Sequence, residues 1–112
     1  MRDYSWSPAE KKIARAAFDA ALETALARIM AECKAKATAL TTPSELWELE
    51  DYLRESRRDI DQTFDYRYSQ LIQVFARLLY DGHLEEARLA GLGEEKRASI
   101  RSVLQFMRGE WP

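Results

Sequence analysis

Apolar residues recur every three or four positions from Ile13 onward, through Phe18, Leu22, Ala25, Leu26, Ile29, Met30, Cys33 and Ala37 to Leu40. That is the period of one face of a helix, and no Gly or Pro interrupts it between Pro8 and about Ala39. The start is marked by Ser7-Pro8-Ala9-Glu10. Ser7 can accept from the first-turn amides, Pro8 suits the first helical position, and Glu10 can reach back to the cap. The same grammar returns at Thr42-Pro43-Ser44-Glu45, so a second helix begins after a connection of two or three residues, short enough to fold the pair into an antiparallel hairpin.

From there Leu46, Leu49, Leu53, Ile60, Phe64, Leu71, Phe75 and Leu78 carry an apolar stripe to Tyr80. It admits one helix or two, with Asp61-Gln62-Thr63 the weakest stretch by propensity. Asp81-Gly82 is a stop, Gly82 being free to take the left-handed closing conformation. Beyond it, His83 to about Leu89 predicts a short helix and Gly91-Leu92-Gly93 a second break. A last helix follows from Glu94 to about Met107, with Ile100, Val103, Leu104 and Met107 on one side. The tail Gly109-Glu110-Trp111-Pro112 reads as loose.

The expected fold is therefore all-α: a single helical domain over residues 1–112, with long helices over about 8–80 forming a stalk and a small C-terminal head over about 83–107. The 112 residues are 46% apolar and 32% charged, enough to fold and too few for a second core. A helix of about 32 residues reaches roughly 48 Å, whereas a compact chain of this length has a radius of gyration near 13 Å. Its stripe needs a second chain to cover it, which predicts a homodimer.

Seventeen basic against nineteen acidic groups give a net charge of −2. No global field is available to gather phosphates, so nucleic acid is not an expected partner. Neither the opening Met-Arg-Asp-Tyr-Ser-Trp-Ser-Pro nor any later stretch has the apolar run of a signal peptide or a membrane span, which makes the cytoplasm the expected address. The one cysteine, Cys33, lies within an apolar stripe and reads as a small hydrophobe. The one histidine, His83, reads as a boundary residue beside the Gly82 break. Phosphate-binding glycine loops, nucleophile elbows and clustered metal ligands are missing from the sequence, so no cofactor, metal or catalysis is expected.

The densest polar stretch, Trp47 to Asp61, has Trp47, Asp51, Arg54 and Arg58 at helical spacings, with Arg57 four residues before Asp61. One reading is a solvated face laced with weak ion pairs. The other is a recognition face, since Trp and Arg dominate binding hot spots. Seven acids against four arginines between Glu48 and Arg67 suit a protein partner better than a polyphosphate. Small helical dimers such as the chorismate mutases hold a dicarboxylate with arginines, but acids interleaved here would repel one.

The same stretch carries a resemblance. Trp47-x-Leu49-x-Asp51-Tyr52-Leu53, Arg57-x-x-Ile60-Asp61, Phe64-Asp65-Tyr66-Arg67-Tyr68-Ser69 and Leu71-Ile72-x-Val74-Phe75-Ala76-Arg77-Leu78-Leu79 are similar to the cyanobacterial fluorescence recovery protein family. Trp6-Ser7-Pro8, Ile13-Ala14-x-x-Ala17-Phe18 and the Gly82 break extend the match over most of the chain. The resemblance implies a cofactor-free helical homodimer that binds the C-terminal domain of the photoactivated orange carotenoid protein. By speeding that protein's return from red to orange, it would end phycobilisome quenching. Trp47, Asp51 and Arg57 stand where the family keeps its dimer-interface and partner-binding patch, and Glu50 and Arg54 complete the candidate set. Glu50 departs from the family, which has His at that position, and Gln62 and Thr63 stand where Gly and Lys are usual. Relatives also occur in bacteria without the carotenoid protein, where the same dimer would serve as an adaptor for another partner.

Overall fold

The computed structural model describes residues 5–110, so the expectations about the extreme N-terminus and about Trp111 and Pro112 lie outside the described residues. Four helices follow in order: α1 Pro8–Thr38, α2 Pro43–Thr63, α3 Leu71–Tyr80 and α4 Glu94–Met107, with a 3-10 turn Glu86–Leu89 before α4. Both long helices start where the sequence places them, each on a reciprocal capping box. Ser7 Oγ accepts from the Glu10 amide while Glu10 accepts from the Ser7 amide, both at 3.1 Å. Thr42 and Glu45 repeat the exchange at 3.4 and 2.9 Å. Caps of this kind are worth about 1 kcal/mol each.

The stripe that runs on to Tyr80 is cut at Thr63, at the stretch where propensity is weakest. Phe64, Tyr66 and Tyr68 stand two residues apart, a spacing that places side chains together on an extended chain and not on a helix. They are used that way. Phe64 and Tyr66 each form a T-shaped pair with Phe18 on α1, at 5.4 and 4.9 Å, and Tyr68 lies tilted against Trp6 at 5.8 Å. Arg15 lies over the Tyr66 ring at 4.5 Å. Burial, reinforced by Tyr68, pushes the Tyr66 phenol up to about 12.

The break changes where α3 belongs. The stripe assigns residues 71–80 to the stalk, but α3 buries Leu71, Ile72, Val74, Phe75, Ala76 and Leu78 in the head. The first half of α1 joins it there through Ala14, Ala17, Phe18 and Ala21, with Leu84, Leu89, Leu92, Ile100 and Leu104 closing the core. The stalk is therefore the second half of α1 packed on α2, and the head uses both ends of the chain. Small side chains make this possible: alanines at positions 14, 17 and 21 let the neighbouring segments approach α1 closely. Gly91 does the same from the other side, since a Cβ there would stand 2.4 Å from Ile13 Cδ1.

A polar clasp fastens α1 to the head. Glu10 accepts from the Gly93 amide at 2.9 Å and from the largely buried Lys96 ammonium at 3.1 Å, while Lys96 also donates to the Ser5 carbonyl at 2.7 Å. The Gly93 and Ser7 amides, with Lys96, hold the Glu10 carboxyl down to about 2.

The molecule measures 52 × 33 × 23 Å with a radius of gyration of 16.8 Å. A compact chain of this length would have about 13 Å. The excess is the stalk.

Candidate functional site

Residues 45, 49, 52, 56, 60 and 63 of α2 are half-buried and face α1. At about 100° per residue, Leu46, Glu50, Leu53 and Arg57 form the next stripe round, flanked by Trp47 and Arg54, and all six are exposed. Leu46 is 49% exposed and Leu53 40%, so two large apolar side chains project from this stripe, and Trp47, 62% exposed, stands at its flank. The same helical geometry applied to α1 brings Leu26 and Met30, also exposed, to the same broad side of the hairpin. In a lone chain these apolar side chains face solvent, the usual signature of an interaction surface.

Of the five candidate residues, Glu50 and Arg57 fall on this side, and Trp47 and Arg54 flank it, pointing away from α1. Asp51 stands further round toward the solvent side of α2. Glu50 forms an ion pair with Arg54, and Arg54 also reaches Asp51 at 3.7 Å. With all three side chains more than half exposed, these pairs contribute at most a few tenths of a kcal/mol each. Their effect is to leave Arg54 electrically answered within its own helix. Arg57 differs: the expected pairing with Asp61 is not formed, and no acid among the described residues answers it. An exposed guanidinium without an ion-pair partner keeps its donors for another molecule.

Sequence reasoning placed Leu26, Met30, Leu46 and Leu53 on apolar stripes in need of a second chain, but did not count them among the candidate site residues. The available signal was the width of the apolar stripe on each helix, broader than one partner helix can cover.

No helix among the described residues is long and apolar enough to cross a membrane, and no group of three or more His, Cys, Asp or Glu is placed to hold a metal ion.

Residues 6–104 match the model of a family described as photoprotection regulator fluorescence recovery protein. The chain belongs to the fluorescence recovery protein family. It is 36% identical over 101 residues to the fluorescence recovery protein of Synechocystis sp. PCC 6803, covering 90% of this chain and 93% of that one. The solved structure of that protein superposes with a TM-score of 0.87 at 35% identity, covering 90% of this chain and 99% of the other. The fluorescence recovery protein of Fremyella diplosiphon does so at 0.85 and 34%, covering 88% and 97%. Family membership thus makes the chain one of the photoprotection regulators, and it places the match across both stalk and head.

Proposed function

We propose that two copies of this chain pair through the Leu26, Met30, Leu46, Trp47 and Leu53 side of the stalk. In this reading the dimer binds the C-terminal domain of the orange carotenoid protein and speeds its red-to-orange reversion, ending phycobilisome quenching. The observation that carries it is the stalk surface itself: a broad apolar side with an unanswered arginine, within the segment that bears the family motif. A symmetric pair covers that side with the same side of a second copy. Arg57 on that side, with Trp47 and Asp51 beyond its edge, supplies the recognition chemistry.

The action is non-catalytic and needs no cofactor. A regulator that binds one conformation of its partner more tightly shifts that partner toward it, and a regulator that binds the barrier state best hastens the change. The setting is the cytoplasm. Mixing the protein with photoactivated orange carotenoid protein should shorten the decay of the red form and give a complex on gel filtration. An unchanged decay without a complex would contradict the reading. Arg57→Leu should weaken the complex while leaving the dimer folded.

Glu50 favours a second reading. A carboxylate where the family carries His reverses the local charge, and together with Gln62 and Thr63 it suits an adaptor dimer of the same fold with another protein partner in a bacterium without the carotenoid protein. A pulldown from the native host separates the two.

A further inference from the structure

The buried residues of α1 end at Ala25. One turn later Arg28 reaches the turn that follows α3, where its Nη1 lies 3.0 Å from His83 Nδ1. A guanidinium only donates, so this nitrogen of His83 is the acceptor, and the ring is neutral with its proton on Nε2. The turn presents it in a fixed place. Gly82 takes φ +76°, its amide bonds to the Leu79 carbonyl at 3.1 Å, and the His83 amide bonds to the Leu78 carbonyl at 2.9 Å. That paired closure locks the backbone of His83 to the end of α3.

We propose that the Arg28–His83 bond is a proton-sensitive strut, which braces the long helix against the head while the imidazole is neutral and releases Arg28 once the ring is protonated. Protonation at Nδ1 takes a proton from solvent, removes the only lone pair Arg28 can use, and sets two cations side by side. The pair sits on a cleft of about 440 Å³ between stalk and head, floored by Ala25, Ile29, Ile60 and Phe64. Pairing of two chains through the Leu46 and Leu53 side leaves this cleft open, because by helical geometry it lies on the opposite broad side of the hairpin.

The charges around His83 decide the direction. α1 contributes Arg28, with Glu23 and Glu32 on the walls of the cleft and of the neighbouring groove, and α2 contributes Asp59. From α3 and its turn come Arg77 and Asp81, already paired at 2.9 Å, and beyond them Glu85 and Arg88. Burial first, then Arg28, hold the imidazole below its ordinary 6.5, and Asp81 opposes them. A group that binds its proton less readily in the folded chain than in the unfolded one costs stability as pH falls. The strut is thus intact in neutral solution and gives way in mildly acidic solution below 6.5.

The chain contains one histidine, so a proton NMR titration has a single imidazole to follow. Its midpoint should lie below the ordinary value in the wild type and rise in Arg28→Met. Amide exchange over residues 26–38, corrected for the intrinsic effect of pH, should increase about three- to tenfold on going from about pH 8 to about pH 5, the factor one ordinary hydrogen bond contributes. His83→Asn keeps an acceptor near the Nδ1 position and cannot titrate, so its exchange should show no such increase, whereas Arg28→Met should exchange fast at both pH values. Equal midpoints in wild type and Arg28→Met, or the same acid response in wild type and His83→Asn, would overturn the proposal.

Discussion

In the head, Leu71, Phe75 and Leu78 lose all contact with solvent, whereas α2 in the stalk buries no residue at all. Yet capping does not favour the head: α1 and α2 both start on capping boxes, α3 and α4 have no side-chain cap, and α1 runs through both regions without a break. The difference is enclosure. In the head, one side of α1 is closed off by the 3-10 turn and joins α3 and α4 in a single core. In the stalk it meets only α2, and a pair of helices has two broad sides with nothing to cover them. Helices are held mainly by the packing of an apolar face, not by propensity. The head therefore encloses its own core, and the stalk leaves apolar side chains for something else to cover.

The sharpest way to break that contrast is to truncate one large apolar side chain in each region. Phe75→Ala should cost the folded chain about 3–5 kcal/mol, the price of an unfilled core. Leu53→Ala, measured at protein concentrations where the chain is monomeric, should cost less than about 1 kcal/mol, because its side chain is already partly wet. Equal losses in urea unfolding would remove the distinction.

Next comes the clasp that ties α1 into the head. Glu10→Ala takes the carboxylate from buried Lys96 and from the Gly93 and Ser7 amides, and should cost about 2–3 kcal/mol. The Glu10 carboxyl sits at about 2 in the folded chain against an ordinary 4.5. The stability it contributes is therefore complete above 4.5 and drains away as pH falls toward 2. Wild type should lose stability through that window more steeply than Glu10→Ala. Parallel pH profiles would show that the clasp does not anchor the helix.

A smaller effect is expected from the stalk. Trp47→Glu should weaken pairing by about 2 kcal/mol, near thirtyfold in dissociation constant, with the circular dichroism of the dilute monomer unchanged. Sedimentation equilibrium reads the shift directly. A variant that unfolds the monomer instead would mean that Trp47 supports the hairpin itself.

Much of this organisation is readable from residue order. The cap, proline and returning carboxylate at Ser7 and Thr42 announce both long helices, and Asp81-Gly82 announces the end of α3. The place of α3 is harder to read, since Ile60, Phe64, Leu71, Phe75 and Leu78 keep an apolar period across a bend that only the two-residue spacing of Phe64, Tyr66 and Tyr68 betrays. The double use of α1 is hidden for another reason: Ala14, Ala17 and Ala21 look like helix formers and act as a packing surface. The stalk stripe was half legible. Trp47, Glu50, Arg54 and Arg57 stand out in composition, while Leu46 and Leu53 differ from core leucines only in having no third helix beside them. The Glu10–Lys96 clasp, 86 residues apart in sequence, has no local signature.

On the proposed reading, a second copy covers the exposed side of the stalk. Multi-angle light scattering of the wild-type protein at low micromolar concentration tests it directly. The pair should weigh about 26 kDa, twice the 13.0 kDa chain; a mass of 13.0 kDa would show that the stalk stays uncovered.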